Sequence, residues 1–224
     1  MDFDIKLEKT YLSEHKYLYG AIVSVTIIFL CVIISQMYWG NILNLKTLLN
    51  ANPESVFIHK EYWRVFSTLF VHADLEHLLS NSFMLFILMY FVTTYYGLFA
   101  GTLLSLFMGG LTNIIVLLTF KDNINLVGIS GVIYYLWGFW FSLYVFIEKR
   151  YSIPRRILNV SSIFFILLLP TTYSPSTSYL SHYLGFLVGL IIGALYYPFK
   201  AKYFKSFLIY KVISVPIFEE DPEI

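Results

Sequence analysis

The sequence predicts an all-α polytopic membrane protein, a bundle of six transmembrane helices with a structured first loop. The first observation is composition: 58% of the 224 residues are hydrophobic and only 13% are charged, whereas a soluble domain carries about 25% charged residues. The second is a series of long apolar runs, most of them near the roughly 20 residues that cross the hydrocarbon core. Most of the chain is therefore expected to face lipid.

Six apolar runs are predicted to span the membrane. They are 18–37, 77–95, 98–120, 128–147, 157–169 and 179–199. The fifth is the shortest, so it is expected to be tilted, extended or set in a thinned bilayer. The chain divides accordingly into an N-terminal segment (1–17), a membrane domain (18–199) and a C-terminal tail (200–224).

The long segment between the first two spans is more than a solvated loop. It runs from Tyr38 to Glu76 and contains Trp39, Trp63 and Phe70. Aromatic side chains of this kind favour the level of the lipid headgroups. The segment is therefore predicted to contain short helices that lie along the interface.

Lysine and arginine residues indicate the orientation. With the N-terminus inside, the inner segments contain 11 of these residues and the outer segments contain 4, so both termini are predicted to be cytoplasmic. The first residues lack the basic start and cleavage site of a signal peptide, so the first span is expected to be retained. A plasma-membrane location is the expected one.

Net charge and cysteine content limit the possible partners and disulfides. The net charge of +1 gives no reason to expect a nucleic-acid partner, and the single Cys31 excludes an intrachain disulfide. The partner that composition does predict is the lipid bilayer. No cofactor or metal is expected.

Unusual polar residues lie where three of the spans begin. The second span begins with His77 and Asn81, which share a helical face, the fourth carries Ser130, and the sixth carries His182. All three spans enter from the outer side in the predicted topology. These side chains are therefore expected to meet a few residues below the outer interface.

Small residues predict which helices meet there. The sixth span has a row of residues spaced by three and four, which keeps them on one face: they are His182, Gly185, Gly189 and Gly193. The fourth span offers Gly131 and Gly138 beside its serine. Because small residues let membrane helices pack closely, His182 is predicted to lie within hydrogen-bond reach of Ser130.

A histidine beside a serine predicts nucleophilic chemistry. Neutral imidazole accepts the hydroxyl proton, which makes the oxygen a nucleophile, and later returns that proton to a leaving amine. The resulting oxyanion needs donors, and His77, Asn81 and the backbone N–H groups around Ser130 are the candidates. No carboxylate lies in the spans near these residues, so a Ser–His dyad is expected rather than a triad.

These motifs resemble those of the rhomboid family of intramembrane serine proteases. The matching features are Gly128-Ile129-Ser130-Gly131, His77-x-x-x-Asn81 and His182-x-x-Gly185-x-x-x-Gly189, together with Trp63-Arg64, His72 and Tyr134. The resemblance covers roughly 61–194. One departure is that 93–102 lacks the acidic residue found in many bacterial members.

The resemblance implies a function and a set of roles. It implies an endopeptidase that cleaves other transmembrane proteins in or near the outer part of the bilayer, with Ser130 as nucleophile and His182 as base. His77, Asn81 and the Ser130 amide would form the oxyanion site, and Tyr134 would pack on the His182 ring. The fifth span and the loop 170–178 would form a mobile gate and cap.

Five alternatives stand beside this interpretation. Ser130 could simply bond its own helix, and His77 with Asn81 could satisfy a helix start. A non-proteolytic relative that binds membrane clients is the rival function, although such relatives typically lack the serine or the histidine. A transporter would need charges inside the spans, and a zinc protease would need a ligand pattern such as HExxH, which is absent. His72 and the pair Trp63–Arg64 are expected to be structural.

Overall fold

A computed structural model describes residues 2–14, 19–120, 124–167 and 178–215. Its α-helices are α1 (Tyr19–Trp39), α2 (Leu45–Leu48), α3 (Arg64–Ser67), α4 (Leu75–Tyr96), α5 (Leu104–Thr119), α6 (Ser130–Ile147), α7 (Ile153–Leu167) and α8 (Tyr179–Lys205). A π-helical turn, Phe99–Leu103, leads into α5. Two strands, β1 (Asp2–Lys9) and β2 (Ile209–Val215), flank the helices in the chain.

Five helices of the described ranges are long and apolar enough to cross a membrane: α1, α4, the π-turn with α5, α6 and α8. They coincide with the first, second, third, fourth and sixth predicted spans. The fifth predicted span falls on α7, whose described part has 15 residues. Residues 168 and 169, the end of that prediction, lie outside the described ranges.

Helix ends differ from the prediction for local reasons. The second span begins at Leu75 because Asp74 caps it, accepting a hydrogen bond from the backbone N–H of His77 at 2.8 Å. The fourth begins at Ser130 rather than 128 because Gly128 has a φ of +112°, which is not helical. The last span continues to Lys205, where Phe204 is buried.

The first loop contains short helices, as predicted, and Arg64 holds it together. Arg64 is buried, its Nε lies 2.6 Å from a carboxylate oxygen of Glu61, and its Nη1 donates to the carbonyl oxygens of Thr47 at 2.7 Å and Asn50 at 3.0 Å. A guanidinium with several fixed donors suits this role. The expected structural role of Arg64 is confirmed.

Among the described helices, α6 and α8 make the most extensive contact, and glycines line it. A Cβ on Gly185 would collide with the carbonyl oxygen of Gly131, and one on Gly189 would collide with the carbonyl oxygen of Tyr135. One on Gly138 would in turn collide with α8 at the carbonyl oxygen of Phe186. Backbone therefore lies directly on backbone, which confirms the predicted small-residue interface.

The turn between α4 and α5 is also packed by glycine. Gly97 ends α4 with a φ of +95°, a conformation that favours glycine. Gly101 then lies against Thr93, where any Cβ would collide with the Thr93 hydroxyl. Close glycine contact thus packs the turn in which the acidic residue is missing.

The small sheet is a feature that the all-α prediction omitted. β1 and β2 pair antiparallel, with Lys6 opposite Lys211 and Ile5 opposite Val212. Next to β1, Tyr11 is buried against Phe204 of α8, with ring centroids 5.0 Å apart. The described parts of the N-terminal segment and of the tail are therefore paired, and Tyr11 packs against the end of α8.

Candidate active site

The His182 ring lies flat against Tyr134. The two ring centroids are 4.2 Å apart and the planes differ by 12°, so the expected packing of Tyr134 on this imidazole is present. Tyr179 contacts the same imidazole edge to face, at 6.0 Å. Two aromatic rings therefore fix the orientation of the His182 ring.

Ser130 lies beside this stack, one helical turn before Tyr134. It is the first residue of α6 and is half-buried. The following residue, Gly131, touches α8 at Gly185, and Ser181 Oγ lies 2.9 Å from where a Gly131 Cβ would be. Within the described ranges no hydrogen bond joins Ser130 to His182. The two residues lie on α6 and α8, the two helices that meet at Gly131 and Gly185. Hydrogen bonds between a catalytic base and its nucleophile commonly form or shorten only when substrate binds.

His77 and Asn81 lie against Gly128, two residues before the serine. A Cβ built on Gly128 would be 2.8 Å from His77 Cε1 and 3.6 Å from the Asn81 side-chain nitrogen. That nitrogen is buried and has no hydrogen-bond partner in the described part of the chain. Gly128 also donates its backbone N–H to the carbonyl oxygen of Thr68 at 3.0 Å. The segment before Ser130 thus lies against both polar residues of α4 and is hydrogen-bonded to the first loop at Thr68.

Comparison with known proteins identifies the family. The family model described as the Rhomboid domain matches residues 59–199. The chain belongs to the rhomboid family. No curated protein matches the sequence. The matched range contains all the residues described above in this site, while α1 and both strands lie outside it. The five apolar helices make this rhomboid a multi-pass integral membrane protein.

His72 is the residue of this rhomboid whose position the sequence did not reveal. It precedes α4, is fully buried, and contacts His77 edge to face with centroids 5.2 Å apart. Its Nδ1 lies 3.2 Å from Ser35 Oγ, and its carbonyl oxygen accepts a hydrogen bond from Trp39 Nε1 at 2.8 Å. His72 therefore connects α1 to the His77 ring, which is consistent with its expected structural role.

Burial keeps His72 neutral. Removal from water, with a smaller contribution from nearby His77, lowers the pKa of His72 from 6.5 to about 3. A neutral imidazole accepts a hydrogen bond at one nitrogen and donates at the other. Its Nε2 is buried and has no partner among the described residues.

Two expectations about the rhomboid site concern a cap and a metal. The loop expected to act as a cap, 170–178, lies outside the described residues except for Ser178, which caps α8. In the described ranges, no three His, Cys, Asp or Glu side chains form a group that could hold a metal ion. The histidines of the site contact each other and aromatic rings instead.

Proposed function

We propose that this rhomboid is a serine endopeptidase that cleaves transmembrane protein substrates in or near the outer part of the bilayer. The family consists mostly of intramembrane serine proteases. The observation that supports activity in this member is the Tyr134–His182 stack beside Ser130, made at a glycine contact between α6 and α8. General-base catalysis requires an imidazole within hydrogen-bond reach of the hydroxyl, and the stack holds the His182 ring against Tyr134, one helical turn after Ser130.

The proposed first step is attack by Ser130 Oγ on a substrate peptide carbonyl. A nitrogen of the neutral His182 ring takes the hydroxyl proton as the new C–O bond forms, and the carbonyl electrons move onto its oxygen. When the C–N bond breaks, His182 gives that proton to the leaving amine. Water then hydrolyses the acyl-serine by the same proton transfers, which regenerates both side chains.

The proposed oxyanion site lies between α4 and the start of α6. Asn81 offers a buried side-chain N–H without a partner in the described structure, and such a donor is ready for charge that develops in the transition state. The N–H groups of Ser130 and Gly131, the first two residues of α6, precede the hydrogen bonds that Val132 and Ile133 make to Ile129, and they form the positive end of the helix dipole. His77 lies beside Gly128, two residues before α6 begins.

The proposed orientation follows from the charges at the helix ends. α4, α6 and α8 all begin at the end of the bundle that holds Ser130, and the last turn of α8 at the other end carries Lys202 and Lys205. Positive residues favour the cytoplasmic side. We therefore place the site toward the outer side of a plasma membrane, with β1 and β2 in the cytoplasm.

The decisive experiment is cleavage of single-span reporter proteins in lipid vesicles. Ser130→Ala and His182→Ala should each abolish cleavage. Ser206→Ala and His59→Ala, which alter an exposed serine and an exposed histidine away from the site, should not. Cleavage retained by either site variant would contradict the dyad.

The same variants separate the protease from a non-proteolytic client-binding protein. A serine-reactive fluorophosphonate probe should label the wild type and His59→Ala but not Ser130→Ala. If the wild-type protein binds reporters in lipid but neither reacts with the probe nor cleaves the reporters, the client-binding function would be established instead.

A further inference from the structure

A cavity of about 380 Å³ lies at the end of the bundle opposite Ser130. Its walls come from the start of α1, the end of α4 and the last turns of α8, with Tyr11 from the segment after β1. These helix ends lie on the side where Lys202 and Lys205 leave the bundle. The volume is within the range of small-ligand sites, roughly 300–1,000 Å³.

The described lining of this cavity is cationic and rich in hydroxyl groups. It contains Lys200 and no carboxylate, and six of the ten residues are tyrosines. Tyr19 and Tyr196 already donate to backbone carbonyl oxygens of α4, at 2.5 Å and 3.3 Å. The lining therefore favours a ligand that carries negative charge and accepts hydrogen bonds.

Two further hydroxyl groups belong to residues that line the cavity. Tyr96 and Thr94 are 7% and 5% exposed, and the hydroxyl of each is buried without a hydrogen-bond partner among the described residues. Buried polar groups normally have such partners, and leaving one unmatched costs free energy. An acceptor that enters the cavity would satisfy these hydroxyl groups.

The position of the cavity favours a lipid headgroup as the hydrogen-bond acceptor. It lies where α1 begins and α4 and α8 leave the apolar region, at the level of the phospholipid headgroups. Basic pockets between helices on the positively charged side of a membrane protein attract anionic lipid headgroups. Tyrosine rings suit this level because they have an apolar body and a polar tip.

We propose that this cavity binds the phosphate group of an anionic phospholipid, with Lys200 as the charged contact and the Tyr96 and Thr94 hydroxyl groups as additional donors. The site is separate from Ser130 and does not depend on the proposed protease activity. A free phosphate ion offers the same chemistry without the acyl chains. The test below therefore distinguishes the two sources.

The experiment measures lipid retained by the full-length protein in native mass spectrometry. The protein is purified from mixed vesicles of phosphatidylglycerol and phosphatidylcholine. The wild type should retain phosphatidylglycerol in preference, and Lys200→Gln should reduce that preference about fivefold, the factor expected for one lysine–lipid contact. Lys202→Gln is the matched control, since it removes a charge two residues away that does not line the cavity, and should have no effect.

Hydroxyl variants test the cavity independently of charge. Tyr96→Phe keeps the ring that packs on Phe139 and Phe204 and should weaken retention, whereas Tyr210→Phe in β2 should not. Equal losses in the two lysine variants, or no preference in the wild type, would overturn the proposal. Displacement of phosphatidylglycerol by millimolar inorganic phosphate would overturn the lipid assignment and identify an ion site.

Discussion

Tyr134 and His182 stack face to face across the α6–α8 contact, with 4.2 Å between ring centroids. Tyr134→Ala removes the surface that fixes the imidazole, so we expect the kcat for reporter cleavage to fall by about 10²-fold, the scale of a small misplacement of a catalytic group. Tyr134→Phe keeps a ring at this position and should retain most activity. Equal kcat values for the wild type and Tyr134→Ala would show that the stack does not orient the base.

Gly128 leaves no room for a side chain. Its φ is +112°, and a Cβ would lie 2.8 Å from His77 Cε1. Gly128→Ala should therefore displace His77 or the start of α6 and lower kcat/KM by roughly 10²-fold in lipid. Gly40→Ala, where the nearest atom is 3.5 Å away, is the control. Normal activity of Gly128→Ala would mean that the backbone around residue 128 can shift to accommodate a side chain without disturbing the site.

Asn81 should contribute mainly to the transition state. Asn81→Ala removes one proposed oxyanion donor, so kcat should fall by roughly 10²–10³-fold with little change in KM. Asn113→Ala removes a donor that bonds to the carbonyl oxygen of Val65 at 2.9 Å and should lower stability without this loss of kcat. A change confined to KM in Asn81→Ala would assign the amide to substrate binding.

His72 should make the stability of the protein depend on pH. Its pKa is about 3 in the folded state and near 6.5 when exposed, so the unfolded chain binds more protons between these values. The contribution of His72 to stability is therefore complete above about pH 6.5 and is lost as the pH falls toward 3.

Thermal unfolding in detergent from pH 7 to pH 4 measures this effect. The unfolding temperature should fall less steeply in His72→Gln than in the wild type, whereas His59→Gln, at an exposed position, should follow the wild type. Identical slopes for His72→Gln and the wild type would exclude His72 as the source.

The sequence predicts the contact between α6 and α8 well because its signals are local. Gly185 and Gly189 are spaced for one helical face, and the order of the spans brings Ser130 and His182 to the same end of the bundle. The contact of His72 with His77 could not be predicted in this way, since His72 lies in an extended segment outside the helix. The distance along the chain gives no information about how that segment turns back.

The β1–β2 pairing was missed although part of its signal is present. Phe3, Ile5 and Leu7 alternate with charged residues, which is the period of a strand with one apolar face. Its partner, however, lies about 200 residues further along the chain. No local pattern specifies a partner so remote, because register depends on where the intervening helices place the two segments.

The pairing of β1 with β2 requires an even number of membrane crossings between the two strands. Hydrogen-bonded strands occupy one side of the bilayer, so the chain between Lys9 and Ile209 must cross it an even number of times. Within the described ranges, five helices are long and apolar enough to cross a membrane, which is an odd number. α7 is the described helix left to make the count even, although its described part is the shortest of the set.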